Sequence, residues 1–120
     1  LNITAIFTLN QVKEIIDIIN LKKDILSIFS GRIFDIGING TIHTKKINKF
    51  IKNNSNCKSL WASPRMVYDI YNAIKAQSDI ITMSPQLIEK IKLFKKTPEE
   101  YSLDTVKMFF DDAKKSKFKI

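Results

Sequence analysis

The sequence predicts an α/β chain built on a parallel sheet, and three observations carry that prediction. Strand-like and helix-like patterns alternate four times along 120 residues. Two apolar runs, Ile25 to Phe29 and Leu60 to Ala62, are short and unbroken, as strands covered on both faces are. Each is followed at once by polar residues, Ser30-Gly31-Arg32 after the first and Ser63-Pro64-Arg65 after the second. Two buried strands would then present Ser and Arg from their C-terminal ends, where parallel α/β folds carry their chemistry.

The elements follow in order. Asn2 to Phe7 forms a first strand, and Thr8 caps a helix with Gln11 three residues later, a capping-box spacing ahead of Val12, Ile15, Ile16 and Ile19. Asp24 to Phe29 is a second strand, followed by a loop through Gly31, Gly37 and Gly40. An amphipathic helix over Thr41 to Lys52 buries Ile42, Ile47, Phe50 and Ile51. Ser59 to Ala62 is a third strand, leading into a helix from Pro64 with Met66, Val67, Ile70, Tyr71 and Ile74 at helical spacing. Asp79 to Met83 pairs with a helix from Pro85 through Leu87, Ile88, Ile91 and Leu93, capped by Ser84. Thr97, Pro98 and Glu100 signal the start of a closing segment, 98–116, whose helix from Ser102 to about Lys115 shows Leu103, Val106, Phe109 and Phe110 on one face.

Alternation with short links implies parallel pairing through right-handed crossovers. Four such units suit either a small open sheet or half of an eightfold barrel, which normally needs about 250 residues. Periodicity leaves both open.

Composition narrows the function classes. A hydrophobic content of 44% excludes a disordered tail and suits one domain with a modest core. The apolar stretches fall far short of membrane-spanning length and no signal segment opens the chain, so the expected partner is not a membrane and the expected location is the cytoplasm. Cys57 is the one cysteine and His43 the one histidine, which rules out an internal disulfide and a zinc site. Cys57, just before an apolar run, suits a packing role, and His43 a surface one. The net charge of +8 comes from lysines scattered along amphipathic segments, not gathered with aromatics into a stripe, so it argues for an anionic small substrate over nucleic acid.

The two Ser/Arg segments carry the chemistry. Arg presents a planar fork that grips phosphate through paired hydrogen bonds, and a helix beginning at Pro64 would add free amide donors and the positive end of its dipole. By themselves, Ser63 suits a helix cap and Arg65 a solvated first-turn residue better than a phosphate clamp. Asn2 and Thr4, two apart on a strand, share one face, though Thr is common in strands. Ser27 is more telling, because a hydroxyl inside an apolar strand must find a partner. Trp61 suits the core or a pocket wall.

The segments NITAIFTLNQVKE, SGRI, LWASPR, DIITMSPQLIEK and EEYSLDTVKMFFDDA, in that order across nearly the whole chain, resemble the C-terminal half of the transaldolase family. The resemblance implies a (βα)8 TIM barrel, with this chain supplying the fifth to eighth units and the closing helix. It implies that Asn2 and Thr4 are the polar pair of the fifth strand, the Thr holding the catalytic water. Ser27 and Phe29 would flank a Schiff base on the sixth strand, and Arg32, Ser63 and Arg65 would clamp the substrate phosphate. The implied activity moves a dihydroxyacetone unit between sugar phosphates with no cofactor and no metal. A nonpolar Phe29 favours transfer over the related fructose-6-phosphate aldolase branch, which carries Tyr there.

One departure matters most. The family's Schiff-base Lys lies on the fourth strand, and its proton-transfer carboxylates on the first and third, none of which corresponds to a segment here. Lys58 precedes its strand, and Lys22 and Lys23 fall between a helix and the next strand. The expectation is therefore a phosphate-binding end without its nucleophile, inactive alone, with a preceding part carrying the rest. Four units would leave open sheet edges that favour a homo-oligomer. The alternative is a noncatalytic sugar-phosphate-binding half-barrel.

Overall fold

A computed structural model describes residues 1–19 and 24–116. Lys22 and Lys23 lie outside the described residues. The chain divides into two units, Leu1–Ile88 and Glu89–Ile120.

The first unit holds four strands, β1 (Asn2–Ile6), β2 (Ile25–Ile28), β3 (Lys58–Trp61) and β4 (Ile80–Ile81), hydrogen-bonded in sequence order and all parallel. The parallel sheet expected from the alternation is thus present. Helices α1 (Leu9–Ile15), α2 (Ser30–Asp35), α3 (Gly40–Asn54) and α4 (Asp69–Lys75) connect the strands, and α5 (Pro85–Lys90) follows β4. Because every crossover advances by one strand in the same direction, the right-handed rule puts the connecting helices on one face. In agreement, α1 packs on α3, and α3 on α4.

The two sheet faces are chemically distinct. Register aligns Leu26 with Ser59 and Ile28 with Trp61, and these four side chains lie on the helix side, all buried. Leu26 and Ile28 join Ile6, Val12, Ile16, Ile47, Ile51 and Cys57 in the main core, whereas Trp61 packs with Ala73, Ala76 and Phe34. The opposite face carries Asn2, Ile25, Ser27, Leu60 and Ile80 by the same register. Cys57 is a core residue and so is Trp61, which lies on the helix side and walls no pocket on the other face.

Local chemistry explains most boundaries. The α1 capping box forms in full: the Gln11 amide donates to Thr8 Oγ1 at 3.2 Å and the Thr8 amide to Gln11 Oε1 at 2.9 Å. The glycine-bearing stretch after β2 is not the expected loop. Ser30–Asp35 is helical, and Gly40 is the first residue of α3, where Asn39 accepts from the amides of Thr41 and Ile42. Only Gly37, at φ +80°, uses the turn conformation that glycine favours.

The expected buried face of α3 is also corrected. Ile42 is 57% exposed, while Thr44 and Asn48 are buried beside Ile47 and Ile51. Both polar residues donate: Thr44 to Ser30 Oγ at 2.7 Å, and Asn48 Nδ2 to the Ala76 carbonyl at 2.8 Å, while the buried Asn48 Oδ1 has no partner among the described residues. The fourth strand shrinks to two residues, and Lys58 is the first residue of β3 instead of preceding it. Helix α4 starts at Asp69, well after Pro64, and Met66, Tyr71 and Ile74 are exposed. Ser84 caps α5 as expected, accepting from the Leu87 amide.

In the second unit a 3-10 turn (Ile91–Leu93) precedes α6 (Pro98–Lys115). Thr97 Oγ1 accepts from the Glu100 amide at 3.1 Å, and Pro98 occupies the first turn, as the start signal indicated. Leu103, Val106, Phe109 and Phe110 are all exposed. No helix among the described residues is long and apolar enough to cross a membrane.

Candidate functional site

The candidate residues run along the sheet face away from the helices, from Asn2 at the start of β1 and Ser27 within β2, to Phe29, Arg32, Ser63 and Arg65 beyond the C-terminal ends of β2 and β3. Ser27, 4% exposed, donates to Asn2 Oδ1 at 2.6 Å, so the hydroxyl inside the apolar strand finds its partner in another candidate residue. Asn2 and Thr4 are exposed on either side of half-buried Ile3, keeping strand alternation to that point. The alternation fails one residue later, at Ala5. Its φ of +59° and the jump in register from Ile3↔Leu26 to Ile6↔Ile28 mark a bulge. Bulges commonly re-aim side chains beside functional sites, and an Ala held in the left-handed region costs about 1 kcal/mol.

Phe29 links β2 to α2. Its ring packs against Phe7 at 5.6 Å between centroids, tilted by 59°. The guanidinium of Arg32, one turn along, lies over the same ring at 6.0 Å. Arg32 therefore has an aromatic support. His43, half-buried on α3, donates from Nε2 to the Phe7 carbonyl, so it braces this rim rather than standing free on the surface.

The two Ser/Arg segments meet through backbone. The Gly31 amide donates to the Ala62 carbonyl at 3.2 Å, and a Cβ built on Gly31 would stand 1.5 Å from the Ser63 carbonyl oxygen. Only glycine permits that approach. Ser63 itself has φ +57°, and residues 63–68 are not helical, α4 beginning only at Asp69.

That geometry corrects one expected part of the clamp. The helix N-terminus placed at Pro64 does not form there, and the nearby amides are not free: Arg65 and Met66 both donate to Asp69 Oδ2, at 2.7 and 3.3 Å. Nor does Ser63 cap a helix. What remains is side-chain chemistry. Arg65 is exposed, and its Nε donates to Asp35 Oδ1 at 3.3 Å while Nη2 donates to Asp35 Oδ2.

Three residues of this arrangement escaped sequence reasoning. Gly31 has a detectable signal, a glycine wedged between an apolar strand and an Arg. Asp35 and Asp69 have none, because their partners are set by how loops from different strands approach. Among the described residues no group of three His, Cys, Asp or Glu side chains is close enough to hold a metal.

The family model for transaldolase/fructose-6-phosphate aldolase matches residues 1–120, and the chain belongs to that family. The family fold is the TIM barrel, with which this α/β unit and its four-stranded parallel sheet are consistent. A search among curated proteins finds no match.

Proposed function

Taking membership of the transaldolase/fructose-6-phosphate aldolase family as the premise, we propose that the chain is the phosphate-binding part of a transaldolase, contributing the fifth to eighth βα units of the barrel. In this proposal a ketose phosphate is held by Arg32, Ser63 and Arg65. Its carbonyl forms a Schiff base with a lysine outside these strands, and the resulting three-carbon unit passes to an aldose phosphate. The hydrogen-bonded Asn2–Ser27 pair faces the intermediate, Thr4 orients water, and Phe29 supplies a nonpolar wall that favours transfer. The reaction needs no cofactor, and the enzyme works as a cytoplasmic homo-oligomer.

The single observation that carries this proposal is the Gly31–Ser63 contact. It ties the residue before Arg32 to the strand exit that bears Arg65, so that two cationic forks emerge from adjoining strand ends. Two guanidinium groups are a strong attractor for a phosphate dianion and are hard to justify as structure, since both are exposed. Asn2 and Ser27 support the same end of the proposal from the sheet face, where the interior of a closed barrel would lie.

The proposal is tested by calorimetric titration with fructose 6-phosphate. Arg32→Ala or Arg65→Ala is expected to weaken binding by about 1.5 to 3 kcal/mol, the usual loss when a charged hydrogen-bond partner is removed. Affinities equal to that of the unmodified chain would refute the phosphate site. A noncatalytic sugar-phosphate-binding module would show the same binding but form no Schiff base in any assembly that includes the rest of the barrel.

A further inference from the structure

We propose that Asp35 is a positioning residue for the phosphate clamp: it grips one edge of the Arg65 guanidinium so that the other edge is presented to phosphate. The proposal rests on the assignment of Arg65 to phosphate binding made above.

The geometry is that of a fork held by one side. Nε and Nη2 are the two donors along one edge of a guanidinium, and both are taken by the two oxygens of Asp35. Five N–H groups are available in all, so this pairing leaves both hydrogens of Nη1 and the second hydrogen of Nη2. Those three form the end of the fork that can bind a second anion.

Asp35 comes from the helix that also bears Arg32. The two are three residues apart on α2 and so share a helical face. Arg65, in contrast, rises from an irregular segment whose own contacts are backbone ones, through Asp69. A long side chain on such a segment samples many rotamers unless something holds it. Asp35 does so from α2, and Gly31 fixes the distance between α2 and that segment.

Stability does not explain the pair. Both side chains are about half exposed, 41% for Arg65 and 50% for Asp35, and ion pairs in water contribute little to folding. Charge alone also argues against Asp35 beside a phosphate site, because a carboxylate repels the ligand. The two effects have opposite signs. If charge dominates, removing Asp35 tightens phosphate binding; if positioning dominates, it weakens it.

The test is titration of the full chain with inorganic phosphate and with fructose 6-phosphate, using Asp35→Ala, Asp35→Asn, Asp35→Glu, Arg65→Ala and the Asp35→Ala/Arg65→Ala double variant. Asp35→Ala should weaken binding of both ligands about two- to tenfold, the cost of immobilising one rotamer-rich side chain on binding. Asp35→Glu, which keeps the fork, should restore part of the loss. In the Arg65→Ala background the same change should cause no weakening, because Asp35 acts only through Arg65. Should Asp35→Ala unfold the chain, Asp35→Asn is read in its place. Unchanged or tighter binding on loss of Asp35, with Arg65→Ala still weakening it, overturns the positioning role and leaves the phosphate site standing. Equal weakening in both backgrounds overturns it as well. If Arg65→Ala binds like the unmodified chain, the phosphate site falls and this role falls with it.

Discussion

At the scale of single residues, the site depends on contacts that only particular side chains allow. Gly31 is the clearest case. A methyl group there would stand 1.5 Å from the Ser63 carbonyl oxygen, which is backbone and cannot rotate away. Gly31→Ala is therefore expected to cost about 3 kcal/mol or more, at the upper end of overpacking penalties, measured by urea unfolding. A loss below about 1 kcal/mol would mean that α2 and the β3 exit are not in contact. Arg32 and Arg65 stand out in the sequence because each is charged just past an apolar strand, and Ser27 because it is polar inside one, whereas Asn2 is singled out only by the family resemblance. Asp35 was not. Its role depends on a long-range approach to Arg65, and an Asp at the end of a short helix looks like any solvated turn residue.

At the scale of elements, strands and caps were read well and phases poorly. The α1 capping box and the Thr97 cap of α6 are local hydrogen bonds between residues three apart, so sequence spacing reports them directly. Helix α4 was misplaced because Pro64 is a good first helical residue. The left-handed Ser63 and the Asp69 carboxylate, which draws in the amides of Arg65 and Met66, hold that segment as a turn instead. Helix α3 was given the wrong buried face because hydrogen-bonded Thr44 and Asn48 occupy core positions that an apolar pattern assigns to Ile42. Helix α6 raises a different matter. It has no buried residue, and Leu103, Val106, Phe109 and Phe110 are 59 to 73% exposed. Contiguous exposed apolar surface of this kind marks an interaction site. The chain is expected to associate with itself, and Leu103→Asp with Phe110→Asp to shift sedimentation equilibrium toward monomer. A monomeric unmodified chain at the same concentration would rule that out.

At the scale of the molecule, the sheet order decides what the chain can do by itself. Strands β1 to β4 run in sequence order with helices on one side, so the face bearing Asn2, Ser27 and Leu60 has no layer of its own connecting helices. A closed barrel fills that face with its own strands, and chemistry occurs at the C-terminal end of the interior. The four strands contain a single lysine, Lys58, and it opens β3 level with Ile25, at the opposite end from Phe29 and Ser63. A Schiff base needs an amine within bonding distance of a carbonyl whose phosphate is held at the other strand ends. Lys58 is level, through Ile25, with Asn2 and stands a strand length from the β2 and β3 exits that lead to Arg32 and Arg65, so it is not the expected nucleophile. Borohydride treatment of the chain with fructose 6-phosphate is thus expected to leave its intact mass unchanged, even where titration shows the sugar phosphate bound. A reduced adduct mapped by peptide mass to Lys58 or any other lysine of the chain would overturn its assignment to the nucleophile-free part of the barrel, because the amine that attacks the carbonyl would then be supplied from within it.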